Sequence, residues 1–285
     1  MDFLEAIILG ILQGLTEFLP ISSSAHLRIF GDLAQWGDPG ATFTAITQLG
    51  TETAVLIYFW KDITRIIGRW FRSFRSPSGS HAASVPKNDP DVRLGWLIII
   101  GTVPIVLAGF FLQDLIRDAL RSLWITAFVL IGFGLLLWAA DAFGRRVKGL
   151  TDMGYRDGIL IGFAQMLALV PGVSRSGASI SAGLALGYTR TAAARFAFLL
   201  AVPAVFGSGF YELATSLREP GTNAYGVAET AVATVVAFAV GYAVIAFLMR
   251  YLEKRSFLPF VLYRILLGTA LIVLLSMGVL QPLSS

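Results

Sequence analysis

The chain contains no cysteine, only two histidines and few charges. The missing cysteine excludes disulfides and thiolate metal sites, although it does not locate the protein. Only 14% of the 285 residues are charged against 56% hydrophobic, and the mean hydropathy is +0.73. A soluble core of this size does not need so much apolar surface, so the composition describes an all-α polytopic membrane protein. Positive charge is also scarce at the start: residues 1–5 carry Asp2 and Glu5 where a secretory signal would be basic, which predicts no cleaved signal peptide.

Six apolar runs, at 42–60, 94–112, 123–140, 192–213, 228–249 and 260–280, each approach the ~20 residues that cross a bilayer. Two shorter runs, 4–12 and 158–169, each lead into a Pro/Ser/Gly-rich stretch and then a second short apolar run. They read as re-entrant helix–loop–helix hairpins, with a pair of kinked full-length spans as the alternative. Non-helical backbone at membrane depth is tolerated only where protein buries it or water reaches it, so two such breaks imply an internal cavity.

Lysine and arginine gather in three places. They are a 61–93 loop carrying Lys61, Arg65, Arg69, Arg72, Arg75, Lys87 and Arg93, a second group of Arg145, Arg146, Lys148 and Arg156, and a third of Arg250, Lys254, Arg255 and Arg264. The positive-inside rule makes these segments cytoplasmic, and the nearly balanced joins at 114–121 and 218–229 external. The net charge of +4 is then a matter of topology, and no nucleic-acid partner is expected.

Two distant stretches are alike. Gln13-Gly14-Leu15-Thr16-Glu17-Phe18-Leu19-Pro20-Ile21-Ser22-Ser23-Ser24 and Gln165-Met166-Leu167-Ala168-Leu169-Val170-Pro171-Gly172-Val173-Ser174-Arg175-Ser176 each run from an apolar segment through proline to a hydroxyl cluster. Gly10 and Gln13 match Gly162 and Gln165, and Phe43 and Phe196 lie at similar distances past their serines. The chain, one integral membrane domain over 1–285, thus divides into repeats at 1–142 and 153–282, each a hairpin plus three spans. An odd number of crossings per copy inserts the copies with opposite orientation, so the hairpins enter from opposite faces and meet near the middle.

Such a meeting point suits an anion. Serines and glycines at a helix start leave N–H groups and hydroxyls free, and the helix dipole adds favourable potential. Simple N-capping is the plainer use of one serine cluster, but two clusters with an arginine between serines favour anion binding. The Arg175 fork suits bidentate contact with phosphate or carboxylate. The other partner on offer is Glu17, and both roles can be filled in turn, with Glu17 as counter-ion in the empty state. Gln13 and Glu17 share a helix face, and Ser23 lies three residues before His26. A serine near an imidazole is the minimum for an activated nucleophile, with Glu17 to orient the ring or hold a divalent cation. His81, in the basic Ser/Pro-rich loop, is expected to do nothing catalytic.

Gln13 to His26, and Pro171-Gly172-Val173-Ser174-Arg175-Ser176-Gly177-Ala178-Ser179, resemble the two signature motifs of the bacterial undecaprenyl-pyrophosphate phosphatase family of the bacitracin-resistance type. The similarity extends to Gln48-Leu49-Gly50, to Phe198 through Pro203 and to Ser256 through Phe260. The resemblance implies removal of the terminal phosphate of undecaprenyl pyrophosphate by a multi-pass protein of the bacterial cytoplasmic membrane, with its site open to the outer face. It implies dependence on a divalent cation, Mg²⁺ or Ca²⁺. Carried over by position, Ser23 is the nucleophile candidate, with direct attack by water held by His26 and Glu17 as the rival, His26 the proton-transfer partner, Arg175 the phosphate clamp and Glu17 a catalytic carboxylate. Ser22, Ser24, Gly172, Ser174, Ser176, Gly177 and Ser179 line the phosphate pocket, and Glu17 and Gln13 hold the metal. Gln13 stands where many relatives have glutamate, and Ser179 where threonine is usual. Expected partners are the substrate and the bilayer, with a homodimer left open.

Inverted repeats with broken helices also build secondary transporters, so a carrier of undecaprenyl phosphate is the rival reading. An intramembrane serine protease fits less well, since no Gly-x-Ser-x-Gly elbow is present and the second histidine is in a loop. The other large class of membrane lipid phosphatases needs a histidine downstream of its arginine, and none follows Arg175.

Overall fold

The computed structural model describes residues 3–74, 85–86, 88–111, 122–219 and 224–283. His81, Arg75, Lys87, the 114–121 join and part of the 218–229 join lie outside them. Eleven α-helices are present among the described residues: α1 (Phe3–Thr16), α2 (Ser23–Leu33), α3 (Gly40–Tyr58), α4 (Trp60–Arg72), α5 (Pro90–Phe111), α6 (Leu123–Phe143), α7 (Tyr155–Met166), α8 (Arg175–Ala185), α9 (Arg190–Arg218), α10 (Val227–Leu252) and α11 (Leu258–Ser276). No strand occurs among those residues, only an isolated bridge between Lys148 and Tyr188.

Five helices, α5, α6, α9, α10 and α11, are long and apolar enough to cross a membrane. The sixth expected span corresponds to α3, whose 19 residues reach about 28 Å. Its length suffices, but Thr47, Thr51, Thr53, Gln48 and Glu52 keep it from reading as plainly apolar. The 61–93 segment is no simple loop, because α4 is a helix with Ile66 buried and Arg65, Arg69 and Arg72 on its polar side. Arg69 donates to Asp89, and Arg65 to Asp91, which ties α4 to the start of α5.

Both expected hairpins are helix–break–helix units: α1 and α2 flank a break over residues 17–22, and α7 and α8 flank one over 167–174. Their second helices are both 11 residues long, and each starts after a serine with positive φ, +73° at Ser22 and +71° at Ser174. Neither serine is a glycine, so each turn holds its residue in a sparsely populated conformation costing about 1–3 kcal/mol, which the surrounding packing must offset. The hairpins are crossed over: α1 packs on α10, and α7 packs on α5. Glycine permits these approaches. A Cβ on Gly10 would lie 2.6 Å from the carbonyl oxygen of Ala233 in α10, and one on Gly162 would lie 2.5 Å from that of Gly101 in α5. Phe198 packs its ring against both Phe18, in the first break, and Phe59 in the main apolar cluster.

Candidate active site

The second helices of the two hairpins start with different chemistry. Ser23 is the first residue of α2 and Arg175 the first of α8, and both reach the same carboxylate. Ser23 Oγ donates to Glu17 Oε2 at 2.6 Å, Gln13 Nε2 donates to the same oxygen at 2.7 Å, and Arg175 Nη2 pairs with Glu17 Oε1. Glu17 continues the turn of α1, its N–H bonded to the Gln13 carbonyl, and is buried. The side chain of Arg175 is 18% exposed. The ion pair foreseen for the empty site is therefore present, joining residues 158 apart in the chain.

The flanking hydroxyls repeat the same motif. Ser22 Oγ lies 3.3 Å from Ser24 Oγ, and Ser174 Oγ lies 3.1 Å from Ser176 Oγ. Ser174 caps α8 by accepting from the N–H of Gly177, whereas Ser22 makes no side-chain cap. Ser176 bridges the turns, donating to the carbonyl of Leu19 at 3.2 Å. Ser24 is exposed, and Ser179 is buried with an unpartnered hydroxyl one turn into α8. The first-turn N–H groups of a helix have no intrahelical acceptor, so both starts offer donors to an anion.

His26 points elsewhere. Its Nδ1 lies 2.7 Å from the Ser22 carbonyl, an acceptor, so Nδ1 carries the proton and Nε2 accepts from the Tyr263 hydroxyl at 2.6 Å. The Ser23 hydroxyl meets a carboxylate, and the imidazole meets a tyrosine from α11.

Arg264 differs from its expected place at a cytoplasmic flank. It lies two turns inside α11, is 0% exposed, and donates to four carbonyls: Leu130 at 3.1 Å, Pro20 at 3.0 Å, Val173 at 3.1 Å and Gly172 at 2.7 Å. It thus fastens both breaks to α6. Gly172, at φ +92°, and Gly177, whose Cβ would lie 3.1 Å from Arg264 Nη1, leave room for the guanidinium. An arginine inside an apolar run was the sequence signal for this role.

A cleft beside the Glu17–Arg175 pair is lined by Glu17, Glu52, Arg175 and Ser176, with Val55 and Phe198 as apolar walls. Among the described residues, no three His, Cys, Asp or Glu side chains are grouped to hold a metal. Gln13 Oε1 and Glu52 Oε1 are nonetheless buried oxygens without hydrogen-bond partners. An all-oxygen set of this kind fits Mg²⁺ or Ca²⁺.

Crossed hairpins of broken helices, with hydroxyls and an arginine at the helix starts inside a bundle of apolar spans, define a multi-pass helical membrane protein. The chain belongs to the family described as bacitracin resistance protein BacA, whose model matches residues 6–270. It is 62% identical over 283 residues to an undecaprenyl-diphosphatase of Micrococcus luteus, covering 99% of this chain and 100% of the relative. It is 60% identical over 278 residues to an undecaprenyl-diphosphatase of Clavibacter michiganensis subsp. michiganensis, covering 98% of each. With undecaprenyl-diphosphatase 2 of Agrobacterium fabrum it shares 56% identity over 282 residues, covering 99% of this chain and 98% of the relative.

Proposed function

We propose that the chain hydrolyses undecaprenyl pyrophosphate to undecaprenyl phosphate, recycling the lipid carrier of cell-wall synthesis and so conferring resistance to bacitracin. The observation that carries the reading is the Glu17 carboxylate, which accepts from the Ser23 hydroxyl while paired with Arg175 of the other hairpin.

The terminal phosphate enters between the helix starts, where N–H groups and the hydroxyls of Ser22, Ser24, Ser174 and Ser176 hold its oxygens. Arg175 turns from Glu17 to the phosphate, since a guanidinium binds either with the same fork. The departure of Arg175 frees Glu17 Oε1, while Oε2 keeps the Ser23 hydroxyl and serves as its base. Ser23 Oγ then attacks the terminal phosphorus as its proton passes to Glu17, and the bond to the bridging oxygen breaks, releasing undecaprenyl phosphate. Water hydrolyses the phosphoseryl group, restoring Ser23 and giving inorganic phosphate. Arg175 and the helix starts stabilise charge spreading over the transferred oxygens. His26 takes a proton-transfer part when substrate displaces Tyr263 from Nε2. A divalent cation held by Glu17 and the carbonyl oxygen of Gln13 would neutralise phosphate charge.

The architecture proposed with this chemistry is two inverted repeats, 1–142 and 153–282, with α3 as the sixth span. Matching serine turns and the crossed packing of α1 on α10 and α7 on α5 support it. The basic residues of α4 and of the 145–156 and 250–255 segments face the cytoplasm of a bacterial inner membrane, and the site opens to the outer face.

Phosphate release from undecaprenyl pyrophosphate by purified protein tests the reading. Wild type is expected to release phosphate and Ser23→Ala to lose at least about 10³-fold. Well-folded wild type that moves undecaprenyl phosphate across liposomes without releasing phosphate would mark a carrier instead.

A further inference from the structure

Glu52 is the charged group at this site that the motifs do not contain. It lies well inside α3, is 1% exposed, and its Oε1 has no hydrogen-bond partner. It lines the cleft shared by Glu17, Arg175 and Ser176, against the apolar Val55 and Phe198. A lone carboxylate at membrane depth is expensive, and a leucine there would make α3 an ordinary span. Glu52 is therefore either held neutral or met by a cation in the working protein.

The charges around the cleft bear on which of the two holds. Glu17 and Arg175 cancel as a pair, so an ionised Glu52 would leave the group with one net negative charge for a cation to meet. Gln13 adds a second buried, unpartnered oxygen but no charge. The cleft's free volume of about 10 Å³ holds one water-sized particle. Two carboxyl groups in the cleft, one of them bonded to the Gln13 amide, are oxygen donors of the kind a hard divalent cation takes. We infer that Glu52 is an acidic ligand of a divalent cation at this site, supplying with Glu17 the second carboxylate that the Gln13 amide does not provide. The inference rests on the phosphatase reading of the same site and deepens it.

Full-length protein in detergent, titrated with Mn²⁺ alone and followed by electron paramagnetic resonance, tests this without substrate. Wild type is expected to bind one Mn²⁺ that Mg²⁺ or Ca²⁺ displaces, and Glu52→Gln to weaken binding by about tenfold or more. Gln13→Glu added to Glu52→Gln is expected to recover most of that loss, because it places a carboxylate on the neighbouring oxygen. Thermal melting separates a ligand from a structural group. With the buried charge removed, Glu52→Gln is expected to melt no lower than wild type without cation, and to lose the rise in Tm that Mg²⁺ gives wild type. Mn²⁺ binding at wild-type strength in Glu52→Gln would overturn the inference even if phosphate release fell. So would wild type that releases phosphate while binding no cation. Should Glu52→Gln fail to fold, Glu52→Asp keeps the charge on a shorter arm, and unchanged affinity there would count against direct ligation. Absence of phosphate release from wild type with any cation is a separate result, and it would remove the phosphatase reading itself.

Discussion

At the scale of single residues, the site turns on what the first residue of each hairpin's second helix does. Arg175→Lys keeps the charge but loses the fork, so phosphate release is expected to fall by about 10²–10³-fold with little change in Tm. Steady-state kinetics beside a melting curve checks this. Tyr263→Phe removes the hydroxyl that occupies His26 Nε2. If His26 transfers protons only once released from Tyr263, the variant is expected to keep at least wild-type kcat and to shift the acid limb of the pH–rate profile. Gln13, Glu17, Ser23 and Arg175 were legible in the sequence because each is polar where its neighbours are apolar, and four such residues in two matching stretches stand out. The direction of His26 was not legible, since Tyr263 is 237 residues away and nothing local announces it. Glu52 escaped for a different reason: a single carboxylate among threonines does not spoil a run of spanning length.

At the scale of elements, the hairpins stay in place through close helix contacts and the ion pairs at their edges. A Cβ on Gly50 would lie 2.1 Å from the carbonyl oxygen of Thr234, so Gly50→Ala must push α3 away from α10. A loss of about 1–3 kcal/mol is expected, read as a lower Tm in detergent. Outside the apolar spans, α4 depends on Asp89. Burial alone would raise this carboxyl, but hydrogen bonds from Arg69 and from the N–H groups of Asp91 and Val92 outweigh it and hold Asp89 below the ordinary aspartate value. A group depressed in the folded state stabilises fully above its unfolded pKa of about 3.9 and loses that contribution as pH falls through the lower folded value. The α4 anchor is thus expected to hold at neutral pH and loosen only in strong acid. Asp89→Asn should reproduce the loosening at pH 7, seen as faster hydrogen exchange confined to α4. Helix lengths and spacing made the spans readable from sequence. The helical character of α4 was hidden by counting its arginines as loop charge.

At the scale of the whole molecule, a chain without cysteine invites single-cysteine labelling. With the proposed topology, Arg146→Cys and Lys254→Cys are expected to react from the cytoplasmic side and Glu229→Cys from the outer side. A reversed pattern would invert the assignment of faces. Similar wording in two places was legible in the sequence, and in the proposed repeat Arg264 is the residue without a like partner. Its counterpart in the first copy falls near Val129 and Leu130 in α6, where no cation stands, so one residue of the last helix serves both breaks. That asymmetry sets an order of assembly. A growing chain contains Ser23 and Arg175 before Arg264 has been synthesised, so the four bonds from Arg264 can form only after both turns exist. A nascent chain halted before residue 258 has both halves of the site and no Arg264 clasp.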